Sequence, residues 1–142
     1  MVDQFIGTWV CTKADNVEAY FREVGATKNL SKALSHVKGT LTFEIEGDEW
    51  TMTFNCPVKN HTYKFRLGQE FNDTTFDGRP VSSKFEFDGN KLVEIEKGTN
   101  GGPDTRKEIT ITGNTLTMVD QCGLAQSTSA YEKAAPGLIA SF

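Results

Sequence analysis

The stretch GTLTFEIEGDEWTMTFN, residues 39–55, decides the fold. Leu41, Phe43 and Ile45 alternate with Thr40, Thr42 and Glu44, and Trp50, Met52 and Phe54 alternate with Thr51, Thr53 and Asn55. An apolar residue at every second position marks a strand with one buried face. The Glu46-Gly47-Asp48-Glu49 turn between two such runs marks a β-hairpin. The pattern continues toward the C-terminus. Tyr63, Phe65 and Leu67 alternate up to Gly68, and Val81, Ser83, Phe85 and Phe87 alternate up to Asp88-Gly89-Asn90. Further strands read at 91–97, 105–112, 115–119 and about 124–133, with a loose Gly-rich connection at 98–103 and a hairpin turn at Gly113-Asn114.

Helical spacing occurs only between residues 15 and 37. Val17, Tyr20, Phe21 and Val24 fall at i, i+3, i+4 and i+7; Asp15 and Glu18 are placed as a capping box, and Gly25 as the stop. A second, short helix carries Leu30, Leu34 and Val37 on one side and Lys28 and Lys32 on the other, with Thr27 as its N-cap. No helix alternates with the strands, so parallel βαβ folds are excluded. About ten short antiparallel strands, each with one face to bury, are accommodated by a closed barrel, which also removes exposed sheet edges. The helix pair, inserted between the first two strands, is sized to cap one open end.

Composition narrows the function. A chain of 142 residues with net charge −4 and 37% hydrophobic residues is expected to form one domain, 1–133, with a short tail, 134–142. It has no basic block for nucleic acid and no apolar run long enough to span a bilayer as a helix. Cys11, Cys56 and Cys122 are odd in number and lack metal-ligand spacing, which predicts free thiols rather than a disulfide framework. The first residues, Met1-Val2-Asp3-Gln4-Phe5, lack the basic and apolar regions of a secretory signal. A cytoplasmic protein is expected, so the Asn60-His61-Thr62 and Asn72-Asp73-Thr74 sequons are discounted.

Phe5-Ile6-Gly7-Thr8-Trp9, then a helix-turn-helix, then Phe65-Arg66-Leu67-Gly68-Gln69-Glu70-Phe71, Asp77-Gly78-Arg79 and Lys91-Leu92-Val93 resemble, in this order and spacing, the intracellular lipid-binding proteins. That family includes fatty-acid-binding and cellular retinoid-binding proteins. The resemblance runs collinearly from about Phe5 to Lys133. It implies an all-β, up-and-down antiparallel barrel of ten strands, lipocalin-like and of calycin type, with a helix-turn-helix lid. It also implies an internal cavity for a small hydrophobic ligand, with no catalysis, no metal and no cofactor. A monomer is expected, with transient membrane contact through the basic outer face of the second helix.

The strand phases predict which residues face that interior. They point inward Leu41, Phe43, Trp50, Met52, Phe54, Cys56, Val58, Tyr63, Phe65, Phe85, Val93, Ile95, Ile109, Ile111, Leu116 and Met118. Ile109 and Ile111 put Lys107 inside and Arg106 outside, although a one-residue slip would exchange them. A lysine inside a barrel requires a carboxylate, a carbonyl-rich ligand or water. By the resemblance, Lys107 stands where the family often has an arginine for a ligand head group. In the last strand, fatty-acid binders typically carry Arg-x-Tyr; this chain has Ser129-Ala130-Tyr131. The tyrosine is kept and the paired arginine is lost, which removes a bidentate carboxylate clamp. Candidate ligand contacts are therefore Lys107 (or Arg106), Ser127, Ser129 and Tyr131 at the polar end and Phe54, Cys56, Val58, Leu116 and Met118 on the wall. Val17, Tyr20 and Phe21 of the lid, and Phe76, Asp77 and Arg79, complete the candidate ligand contacts. His61 also phases inward and reads as a structural histidine rather than a metal ligand. The predicted function is non-catalytic carriage of a long-chain fatty acid or related lipid. The alternative is a less acidic ligand, a retinoid or pigment, including one held as a Schiff base on Lys107.

Overall fold

The computed structural model describes residues 2–57 and 59–135. A 3-10 turn at Val2–Phe5 leads into β1 (Gly7–Asp15), followed by α1 (Val17–Glu23) and α2 (Lys28–Leu34). Nine strands complete the chain: β2 (Thr40–Glu46), β3 (Glu49–Asn55), β4 (Asn60–Arg66), β5 (Phe71–Thr74), β6 (Pro80–Asp88), β7 (Lys91–Gly98), β8 (Thr105–Thr112), β9 (Thr115–Cys122) and β10 (Ala125–Lys133). They form one antiparallel sheet of ten strands in the order β4-β3-β2-β1-β10-β9-β8-β7-β6-β5. Every ladder but one joins strands adjacent in sequence; the exception is β1 with β10. The sheet curls into a nearly closed barrel, with β4 and β5 its two end strands. The alternation left β5 undelimited, because four residues are too few to show a period.

The seam between β4 and β5 is filled by side chains rather than by a backbone ladder. Phe65, Phe71 and Phe85 stack nearly parallel there, with Phe65 and Phe85 centroids 3.8 Å apart. At the end of the barrel away from the helices, Phe5 packs edge-on against Phe43, Trp50 and Phe87. Such contacts add about 0.5–1.5 kcal/mol each beyond buried area. Trp9 Nε1 donates to the Phe5 carbonyl at 3.0 Å, so the N-terminal turn is pinned into this plug.

A bulge in β1 between Cys11 and Lys13 lets both Cys11 and Ala14 face the interior. The expected capping box at Asp15 and Glu18 does not form. Asp15 is still in β1, opposite Thr128, and the chain turns into α1 through Asn16 at φ 62° with no side-chain cap. Asparagine tolerates this left-handed conformation, and its Nδ2 donates to the Gln126 carbonyl at 2.8 Å, tying the lid to β10. At the other end of α1, Gly25 takes φ 107° while Ala26 N–H donates to Phe21 and Gly25 N–H to Arg22, a Schellman stop as expected.

Thr27 caps α2, its Oγ1 accepting from Leu30 N–H at 3.2 Å. Thr27→Ala is expected to lower the unfolding free energy by about 1 kcal/mol in a urea titration, and Thr27→Ser to retain it. A Thr27→Ala variant equal to wild type would show that the cap contributes nothing. Leu34 faces the cavity from this helix, and Val37, expected on the same stripe, does so from the turn after it; Leu30 is 40% exposed.

The phase of β7 is the reverse of the expectation. Leu92 pairs with Ile109, and Glu94 pairs with Phe85 and Lys107, so Leu92, Glu94 and Glu96 face inward. Val93 and Ile95 lie on the outer face opposite Glu86 and Lys84. The doublet Leu92-Val93 supplies an apolar residue to both faces, and the inward phase is set by Leu92 packing into the core beside Ile109 and Phe85.

Candidate functional site

Beneath the two helices lies an internal cavity of about 140 Å³. Its roof is Val17, Tyr20 and Phe21 of α1 with Leu34 and Val37, and its apolar wall includes Leu41, Met52, Phe54, Phe76 and Met118. Ligand pockets commonly run to about 300–1,000 Å³, so a long-chain occupant has to widen this one. The roof helix α1 rests on β9, β10 and α2.

The polar end of the cavity follows from register. Glu94, Lys107, Asp120 and Ser127 are successive cross-strand partners on β7, β8, β9 and β10, forming one row across the interior wall. Lys107 Nζ donates to Asp120 Oδ1 at 2.6 Å, and each side chain is 18% exposed. Burial pulls the Lys107 pKa down, but the negative charges of Asp120 and Glu94 outweigh it and hold the ammonium well above its ordinary range. A Schiff base calls for a desolvated lysine of lowered pKa, and the pairing with Asp120 acts in the opposite direction.

Glu94 is 0% exposed, and neither carboxylate oxygen makes a well-formed hydrogen bond; the Ser83 hydroxyl beside it offsets only part of the cost of burial. Burial, with the neighbouring charge of Glu96 adding to it, pushes its pKa up to about 8. Burial likewise raises the phenols of Tyr131, Tyr63 and Tyr20, which are neutral donors.

The cavity gathers many of the residues singled out from the sequence. Lys107, Ser127, Ser129, Tyr131, Phe54, Phe76, Met118, Val17, Tyr20 and Phe21 all line it. Arg106 does not; it faces outward, its Nε donating to Glu108 Oε2 at 2.9 Å, which resolves the choice between Arg106 and Lys107. Leu116 is buried in the core below the cavity. Cys56 is turned away from it, its thiol donating to the Lys59 carbonyl at 3.0 Å. Asp77 and Arg79 are not lining residues either: Arg79 Nε donates to Asp77 Oδ2 at 2.8 Å, and Nη2 lies 3.9 Å from Glu96. Val58 and the tail from 136 onward lie outside the described residues. His61 lines the cavity and reaches across the seam to Asp73, 3.5 Å away. Among the described residues no cluster of His, Cys, Asp or Glu is arranged to hold a metal, and the three cysteines are unbridged.

Asp120 and Glu94 are the site residues that sequence reading missed. Asp120 lies two residues past Met118 and four past Leu116, so extending that strand's alternation beyond Val119 would have placed it inside.

No family model matches the chain. The fatty acid-binding protein homolog 6 of Caenorhabditis elegans is 39% identical over 112 residues, 79% of this chain and 81% of that protein. Fatty acid-binding protein 9 of Mus musculus is 30% identical over 135 residues, 94% of this chain and 99% of that protein. Among solved structures, the Schistosoma mansoni fatty acid binding protein in complex with arachidonic acid superimposes with a TM-score of 0.86 at 26% identity, covering 92% of this chain and 96% of that one.

Proposed function

Because the chain belongs to the fatty acid-binding protein family, we infer that it takes a long-chain fatty acid or a related lipid into the barrel and carries it within the cell. The observation that carries this reading is the cavity itself: apolar walls beneath a two-helix roof, with its charged groups gathered at one row of the wall. The apolar walls hold a hydrocarbon chain away from water, and the row orients its polar end.

The protein acts as a carrier and not as a catalyst. In support, Lys107 is held protonated and the curated relatives are named for binding. It works as a single chain in the cytoplasm. Its lid touches membranes in passing through the exposed Lys28 and Lys32, which flank Leu30 on α2 and suit an anionic lipid surface.

The test is a titration of delipidated protein with a naphthalene-sulfonate probe. Enhanced probe fluorescence, displaced by one equivalent of a long-chain lipid per chain, is the expected result. Failure of the probe and of every lipid to bind, with a native mass equal to the bare polypeptide, would overturn the reading in favour of a closed, packed barrel.

A further inference from the structure

We propose that Asp120 determines head-group specificity, turning the cavity against a free carboxylate and toward a long-chain lipid whose uncharged head group donates hydrogen bonds, such as a primary amide or an alcohol. The proposal rests on the carrier reading above and names which related lipid the site prefers.

A carboxylate ligand needs a cation at its disposal. Among the described residues Lys107 is the one lysine or arginine that lines the cavity, and it is engaged with Asp120 at 2.6 Å; His61, also on the lining, faces Asp73 at 3.5 Å, and Arg79 behind the wall is held by Asp77 at 2.8 Å. An incoming carboxylate has two ways to reach Lys107. It can displace Asp120, which leaves that group in the wall without its partner, or it can join Asp120 as a second anion on one ammonium, on the same row as the buried Glu94. Glu94 carries the argument beyond a surface ion pair: it is fully buried on the same row, and neither oxygen makes a well-formed hydrogen bond. Burial first, and the charge of Glu96 second, raise its pKa, so an added anion on this wall meets both.

A neutral donor head meets no such obstacle. The ammonium has three protons and Asp120 takes one, so an amide carbonyl can accept another. Its N–H groups, or an alcohol O–H, can donate to the free Asp120 oxygen or to the hydroxyls of Ser127 and Ser129. No charge is added and none is stranded.

Three ligands with one C18 chain test this: oleate, oleamide and oleyl alcohol, each displacing the uncharged probe Nile red from delipidated protein at neutral pH. On wild type, oleamide and oleyl alcohol are expected to bind about tenfold more tightly than oleate, or better. Asp120→Asn releases Lys107 and is expected to move the oleate-to-oleamide ratio about tenfold toward oleate. Oleate binding wild type as tightly as oleamide overturns the proposal and leaves the carrier reading intact. So does a ratio unmoved in an Asp120→Asn protein that retains the wild-type circular dichroism spectrum. If that variant does not fold, the wild-type ratio decides by itself. Failure of all three ligands to displace Nile red overturns the carrier reading, and this proposal with it.

Discussion

At pH 8.5 the Glu94→Gln protein is expected to be several kcal/mol more stable than wild type, and the gap is expected to close as the pH falls toward 4.5. Glu94 is buried with neither carboxylate oxygen in a well-formed hydrogen bond, and burial together with Glu96 outweighs the neighbouring Ser83 hydroxyl and raises its pKa from the ordinary 4.5 to about 8. A folded state with the higher pKa binds a proton that the unfolded chain releases. Below pH 4.5 both states are protonated and the group is neutral with respect to folding. Between 4.5 and 8 folding has to take up a proton, so stability falls as pH rises; above 8 the full cost of the buried anion applies. At about 1.4 kcal/mol per pH unit the cost amounts to about 3–5 kcal/mol. Glutamine keeps the shape and cannot ionise, and Lys107 keeps its pairing with Asp120. Urea titrations at steps from pH 5 to 9 check this: the stability gap between the variant and wild type should widen from pH 5 to about 8 and then level off. Parallel curves for the two proteins would show that Glu94 is not the titrating group.

Phe85→Ala is expected to cost about 3–5 kcal/mol, the loss seen when a fully buried aromatic leaves a cavity. Phe85 is completely buried and stacks on Phe65 of β4 and Phe71 of β5, the two end strands of the sheet. No backbone ladder joins those strands, so removing the ring takes away much of the packing that holds the seam. A second readout separates this from a general core defect: amide hydrogen exchange should accelerate first in β4 and β5. A loss under about 1.5 kcal/mol, or exchange rising evenly over all strands, would show that the seam does not depend on the stack.

What was legible in the sequence follows a single physical rule. Where only one face of a strand is apolar, as in residues 39–55, alternation fixes strand, phase and hairpin together. Where both faces carry an apolar residue, as at Leu92-Val93, alternation has two solutions and tertiary packing selects one. That single ambiguity hid Glu94 and with it half of the acidic character of the site. The capping box failed for a local reason: a strand that must turn directly into a helix uses a left-handed Asn16, and its neighbour Asp15 remains in the ladder. Lys107, Ser127, Ser129 and Tyr131 were reachable from phase because β8 and β10 keep strict alternation through those positions. The pairing of Lys107 with Asp120 was not, because it depends on the register between two strands rather than on either one.

The ladder between β1 and β10 also governs when the barrel can close. Of the barrel's strands, β1 leaves the ribosome first and β10 last, yet the barrel closes only by joining them. Synthesis at about 5–20 residues per second leaves the first strand waiting on the order of ten seconds for its partner, with one backbone edge open and the indole of Trp9 uncovered. Hairpins form along the way, but the closed barrel requires β10 to have been made. During translation the nascent chain is a natural client for chaperones, and truncation before β10 would leave an aggregating meander rather than a smaller carrier.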